Sequence, residues 1–200
     1  MRLVLLGPPG AGKGTQAVRI AKKLCVPHIS TGEIFRANVK SGTQLGREAK
    51  AYMDRGDLVP DDVVNRMVAD RLDADDAAEG WLLDGYPRTI PQARALQAML
   101  EERKQALDGV VCLEVPPDEL ARRIAGRAKR ERRFDDNHDV SRRRLERYFE
   151  KTAPLEAFYR ARGLLRDIDA VGPIDEVTGR TLAVLEQIQS GARGPDLGGA

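Results

Sequence analysis

An α/β fold, with a mostly parallel sheet flanked by helices, is what the pattern of this chain predicts. Short aliphatic runs alternate with longer amphipathic stretches of helical period. A glycine-rich loop sits directly between the first such run and the first helical pattern. Five runs read as strands, at residues 2–6, 27–29, 81–83, 110–115 and 164–168. Helical patterns follow at 12–24, 32–41, 43–55, 61–69, 90–103, 117–125, 138–162 and 174–189. Pro154 falls inside the long 138–162 pattern, where a missing N–H kinks a helix. Residues 30–59 hold two helices with no strand between them, which reads as a small helical flap. Residues 126–136 are polar, rich in arginine and without periodicity, which reads as a mobile loop. The glycine-rich 190–200 reads as a disordered tail.

Two hundred residues fit one domain, large enough to bury roughly 70% of the unfolded surface without covalent staples. Aromatics supply only 4%, so aliphatic side chains must make most of the core. The apolar runs are too short to span a bilayer, and no signal peptide is evident before the first strand. A cytoplasmic protein is the expectation. Cys25 and Cys112 are far apart and, with His28 and His138, give no zinc-binding spacing. Both cysteines read as buried free thiols. The net charge of +2 hides an excess of six positive charges between Arg122 and Arg147. Arginine also outnumbers lysine about three to one, which suits bidentate phosphate contacts.

The loop itself reads Gly7-Pro-Pro-Gly-Ala-Gly-Lys-Gly-Thr15, a GxxxxGK pattern between strand and helix. Glycines let successive backbone N–H groups turn toward one anion, and the next helix adds the positive end of its dipole. Lys13 adds a mobile charge over a polyphosphate. Gly14 stands where most such loops carry a Ser or Thr for Mg²⁺, and Thr15 follows one residue later. The run Trp81-Leu-Leu-Asp84 ends a strand in a carboxylate that could reach Mg²⁺ through water. Gly85-Tyr-Pro-Arg88 follows at once, placing a turn and a guanidinium at the sheet edge where α/β folds bind ligands.

Together these residues resemble the nucleoside monophosphate kinases, and among them the short-lid adenylate kinase family. The loop GPPGAGKGT at 7–15, Ser30-Thr-Gly-Glu33 with Arg36, and Asp84-Gly-Tyr-Pro-Arg88 with Gln92 carry the resemblance. Arg127, Arg133-Phe-Asp-Asp136, Arg144 and Thr152-Ala-Pro-Leu155 extend it, so that it covers residues 1 to about 188. It implies a three-layer P-loop nucleotide kinase fold with a central five-stranded parallel sheet. The core would be 1–29, 60–125 and 137–189, with a monophosphate-binding flap at 30–59 and a short lid at 126–136. It also implies a monomeric transferase of purine nucleotide biosynthesis that catalyses ATP + AMP ⇌ 2 ADP with Mg²⁺ and no zinc. Partners would be ATP, AMP and ADP, without nucleic acid or membrane.

Carried over by motif, Gly10, Ala11, Gly12, Lys13, Gly14 and Thr15 would cradle ATP, with Arg123, Arg127 and the Gly172 backbone. AMP would be held by Thr31, Arg36, Asp57, Leu58, Val59, Gly85, Tyr86, Pro87, Arg88 and Gln92, with Arg133 and Arg144. Lys13, Arg88, Arg123, Arg127, Arg133 and Arg144 would be catalytic, and Asp84 would meet Mg²⁺ through water. Lys129, Arg130 and Arg132 read as surface charges. Pyrimidine monophosphate kinases usually carry Ala and Asn where this chain has Thr31 and Gln92, which favours AMP over CMP or UMP. A nucleotide-regulated binding protein with 122–147 as a nucleic-acid patch is the other reading, disfavoured by the scarcity of aromatics for base stacking.

Overall fold

The computed structural model describes residues 1–130 and 138–190. Five strands form one parallel sheet in the order β2-β3-β1-β4-β5: β1 Arg2–Leu6, β2 His28–Ser30, β3 Trp81–Asp84, β4 Gly109–Glu114 and β5 Leu165–Asp169. The helices are α1 Lys13–Leu24, α2 Thr31–Lys40, α3 Gln44–Arg55, α4 Asp61–Leu72, α5 Ile90–Glu102, α6 Pro117–Arg130, α7 His138–Arg147, α8 Pro154–Arg160 and α9 Ile174–Gln189. All five expected strands are present, each within about one residue of its expected ends.

Both faces of the sheet are covered, as a parallel sheet requires. Because side chains alternate along a strand, β1 serves both sides. Val4 and Leu6 face a cluster with Leu83, Val110, Leu96 of α5 and Leu155 of α8. Leu3 and Leu5 face the other, with Ala17 and Ile20 of α1 and Val177 and Leu185 of α9. Burying each such Leu or Val contributes about 1.5–3 kcal/mol. This three-layer packing makes the C-terminal ends of β1, β3 and β4 a rigid ledge, on which the loops that follow them are built.

Three expectations change. The 138–162 helix is interrupted: after α7 the chain widens into a π turn at Tyr148–Thr152, with Ala153 N donating to the Tyr148 carbonyl at 2.8 Å. Pro154 cannot donate, and its ring collides with the carbonyl four residues earlier, so the turn before it relaxes and α8 starts afresh. Helix α6 runs to Arg130, so residues 126–130 are helical where the polar composition reads as loop. Cys25 is exposed, since it caps α1 in the left-handed conformation at φ 55°, while Cys112 is buried in β4. The remainder of the expected lid, 131–136, and the expected tail beyond Ser190 lie outside the described residues.

Candidate active site

The loop after β1 delivers the first part of the site. Gly10 holds φ +91°, and a Cβ there would come within 2.8 Å of Ile124 Cγ1, so only glycine lets α6 pack this close. The first turn of α1 carries no acidic residue and Lys22 and Lys23 close its last turn, so the positive end of the helix is left for an anion. Lys13 Nζ donates to the Gly7 and Pro8 carbonyls at 2.7 and 3.0 Å, which holds the ammonium at the mouth of the loop.

The turn after β3 delivers the second part. Gly85, at φ +84°, has Thr31 Oγ1 at 2.8 Å and Arg88 Nη2 at 3.1 Å from where a Cβ would stand. Its carbonyl accepts from Thr31 Oγ at 2.9 Å and from Arg88 Nε at 2.8 Å. The Tyr86–Pro87 peptide is cis. Tyr86 is fully buried rather than open to the cleft, its hydroxyl 2.8 Å from Asn65 Oδ1 and 3.1 Å from the Gln92 carbonyl. Tyr86 does not line the cleft, whereas Gly85, Pro87 and Arg88 around it do.

Asp84 ends β3 at 9% exposure, with its Oδ2 3.5 Å from His28 Nε2. Burial pushes this carboxyl up, but His28, Lys13 and Arg88 together outweigh burial and hold it below the usual carboxylate range. It is therefore charged at neutral pH. Hard carboxylate and hydroxyl oxygens, at Asp84 and Thr15 on one wall of the cleft, suit Mg²⁺. Among the described residues no three His, Cys, Asp or Glu side chains cluster as a metal cage. A cation that keeps its waters and binds chiefly through phosphates needs none.

These groups open on one cleft of about 470 Å³, of the size that holds a small-molecule ligand. Among the sequence candidates, Gly10, Gly12, Lys13, Gly14, Thr15, Thr31, Arg36, Asp57, Leu58, Val59, Asp84, Gly85, Pro87, Arg88, Gln92, Arg123 and Arg144 line it. Ala11 is buried beneath the loop, and Gly172 lies in the turn after β5, outside the lining. Arg133 and the side chain of Arg127 lie outside the described residues. Arg147 and Thr152 also line the cleft and are not foreseen as site residues. Arg147 stands one helical turn beyond Arg144, the spacing that could have flagged it. Thr152 donates to the Arg88 carbonyl at 2.9 Å, a contact created by the π turn and invisible in sequence.

Two carboxylates aim the arginines. Arg55, Arg143 and Arg147 surround Asp57 at 3.2–3.3 Å, joining the end of the 30–59 segment to α7. Burial raises the Asp57 carboxyl, yet these arginines bring it below its ordinary value. Arg123 donates to Glu119 at 2.7 Å, to the Ala170 carbonyl at 2.9 Å and to the Ala11 carbonyl at 3.3 Å, tying α6 to the glycine loop. Bonds from Arg122 and Arg123 lower the Glu119 carboxyl from 4.5 to about 2. A depressed folded pKa stabilises the protein above about pH 4.5 and loses that contribution as pH falls through about 2. The melting temperatures of the native protein and Glu119→Gln are therefore expected to differ steadily above pH 5 and to converge as pH approaches 2. A gap that persists at pH 2 would exclude the ionic bond as its source.

Lys13, Arg36, Arg88, Arg123, Arg144 and Arg147 thus put six cationic side chains into one cleft among the described residues. Such a cleft concentrates polyanions and can neutralise negative charge that develops between them. The family model described as Adenylate kinase matches residues 5–164. The Adenylate kinase of Thermobifida fusca is 58% identical over 186 residues, covering 93% of this chain and 98% of that relative. The Adenylate kinase of a Nocardioides species is 54% identical over 188 residues, covering 94% and 98%. That of Leptospira biflexa is 53% identical over 181 residues, covering 90% and 97%.

Proposed function

The chain belongs to the adenylate kinase family, and from that premise we propose that it catalyses ATP + AMP ⇌ 2 ADP with Mg²⁺. One observation carries the reading: the glycine loop with Lys13 and the Thr31–Arg88–Gln92 group line the same cleft. On this reading the α1 end of the cleft takes ATP, through residues 10–15 with Arg123 and Arg127. The α2–α5 end takes AMP, with Thr31 and Gln92 on the base and Arg36, Arg88, Arg133 and Arg144 on phosphate.

The acceptor is a phosphate monoester with a second pKa of about 6, so it is largely dianionic at neutral pH and needs no general base. What the reaction needs is alignment and relief of repulsion between two polyanions. Negative charge spreads over the transferring oxygens in a loose transition state, and on this reading Lys13 and the arginines would meet it. Bound through phosphates near Asp84 and Thr15, Mg²⁺ would add further charge neutralisation there. On this reading residues 30–59 close over the substrates and exclude water, which would otherwise accept the phosphoryl group. The ion pairs of Asp57 with Arg143 and Arg147 sit where residues 30–59 meet α7 and hold the end of that segment against it.

The enzyme on this reading is a cytoplasmic monomer of purine nucleotide metabolism, without nucleic-acid or membrane partners. Among the described residues no helix is long and apolar enough to cross a membrane. The test is to mix protein, Mg²⁺ and ATP with AMP, CMP, UMP or GMP and quantify all nucleotides by chromatography. Rapid ADP formation with AMP alone is expected. Activity confined to CMP or UMP would remove Thr31 and Gln92 as readers of adenine. Transfer to no monophosphate would remove the kinase reading of the cleft.

A further inference from the structure

Gln92 is 2% exposed, and its side-chain amide faces one way only. Its Oε1 accepts from the Arg88 backbone N–H at 2.7 Å, and its Nε2 donates to Asp61 Oδ1 at 2.7 Å. Asp61 is the first residue of α4, and its Oδ2 accepts from Thr89 Oγ at 2.9 Å. Thr89 in turn caps α5, accepting from Gln92 N at 3.2 Å. A carboxylate can only accept and a backbone N–H can only donate. Turning the amide over would set Oε1 against the Asp61 carboxylate and the NH₂ group against the Arg88 N–H. Two repulsive contacts away from water make that orientation costly.

Gln92 lines the cleft, and one N–H and one lone pair of its amide make no bond among the described residues. A 6-aminopurine offers a ring-nitrogen acceptor beside an amino donor. A 6-oxopurine offers the same two positions with donor and acceptor exchanged. A freely turning amide could match either order, whereas a fixed amide matches one and opposes the other. The geometry points to Asp61 as the positioning residue that selects 6-aminopurine over 6-oxopurine monophosphates, by holding the Gln92 amide in one orientation. This rests on Gln92 as the proposed reader of the AMP base. Asp61 itself acts only through Gln92.

Asp61→Asn keeps the size of the side chain but supplies a donor as well as an acceptor, which removes one of the two repulsions that oppose turning of the amide and leaves the one at the Arg88 N–H. The enzyme and this variant are assayed with saturating ATP and either AMP or IMP. The KM for AMP is expected to rise at least about tenfold, as for loss of a hydrogen bond to a charged group. The kcat with AMP stays within a few-fold, and the AMP-to-IMP ratio of kcat/KM falls at least about tenfold. Thr89→Ala removes the other bond to Asp61 and the cap on the Gln92 N–H, while leaving the bond between Asp61 and the Gln92 amide. It is expected to lower the melting temperature and leave that ratio unchanged. An unchanged ratio in Asp61→Asn overturns the proposal, as does an equal collapse of the ratio in Thr89→Ala, which would make the effect one of packing. If the native enzyme does not phosphorylate AMP, the adenylate kinase reading of the site fails first, and the role of Asp61 fails with it. Native activity on AMP with an unchanged ratio in Asp61→Asn defeats the role of Asp61 alone.

Discussion

Replacing Arg88 by alanine is expected to lower kcat about a thousandfold while moving the melting temperature by no more than about 2 °C. Removing one preorganised donor from a developing negative charge commonly costs 10²–10³ in rate, and an arginine that meets a transferring phosphoryl group about 10³–10⁵. The fold should tolerate the change for a local reason. The guanidinium is exposed, and its Nε donates to the Gly85 carbonyl within the turn. The bonds that shape the turn belong to the Arg88 backbone, whose N–H meets Gln92 and whose carbonyl accepts from Thr152. Alanine keeps both. Exposed substitutions of this kind usually change stability by less than about 0.5 kcal/mol. Steady-state turnover with ATP and AMP, beside a thermal melt, decides the matter. Near-normal turnover in a folded variant takes Arg88 out of the catalytic set.

A bisubstrate ligand, two adenosines joined by five phosphates, is expected to bind at least about 10³-fold more tightly than ATP. It would occupy both ends of the cleft while losing translational and rotational freedom once, and all six cleft cations would face one polyanion. At a thousand times its dissociation constant it would add about 4 kcal/mol to stability. For a chain of this size that is on the order of 10 °C in melting temperature. Amides of residues 30–59 should gain hydrogen-exchange protection, because closing the α2–α3 segment over the monophosphate end would shield it from solvent. Affinity no better than that of ATP would count against a shared cleft for two nucleotides. Tight binding without added protection at 30–59 would count against closure.

Much of this architecture was legible in the residues. The strand runs, the glycine loop and the Asp84–Arg88 turn each combine a local pattern with a local conformational demand, and such demands survive without knowledge of the fold. Pro154 marks the break in the long 138–162 pattern from sequence, but the π turn that precedes it at Tyr148–Thr152 leaves no mark in the periodicity. Residues 126–130 were misread because polar composition argues for loop, while α6 continues through them on backbone hydrogen bonding that composition does not report. Cys25 reads as buried from its apolar neighbours, yet it falls at the end of α1 as the left-handed cap and is exposed there.

The sequence by itself determined the α/β class, the anion-binding loop, the surplus of arginine and the family resemblance, since each is written in contiguous residues. Only the tertiary structure decided which carboxylate holds which cation or amide. Asp57 with Arg147, Asp84 with His28 and Asp61 with Gln92 span 90, 56 and 31 positions of the chain. Their meeting depends on sheet order and helix packing, which bring the ends of β1, β2 and β3 and the starts of α4 and α5 to one ledge. A charged or polar side chain carries no mark of its partner in its own neighbourhood. Electrostatic and hydrogen-bond energies depend on distance in space, and for these pairs the folded chain alone sets that distance.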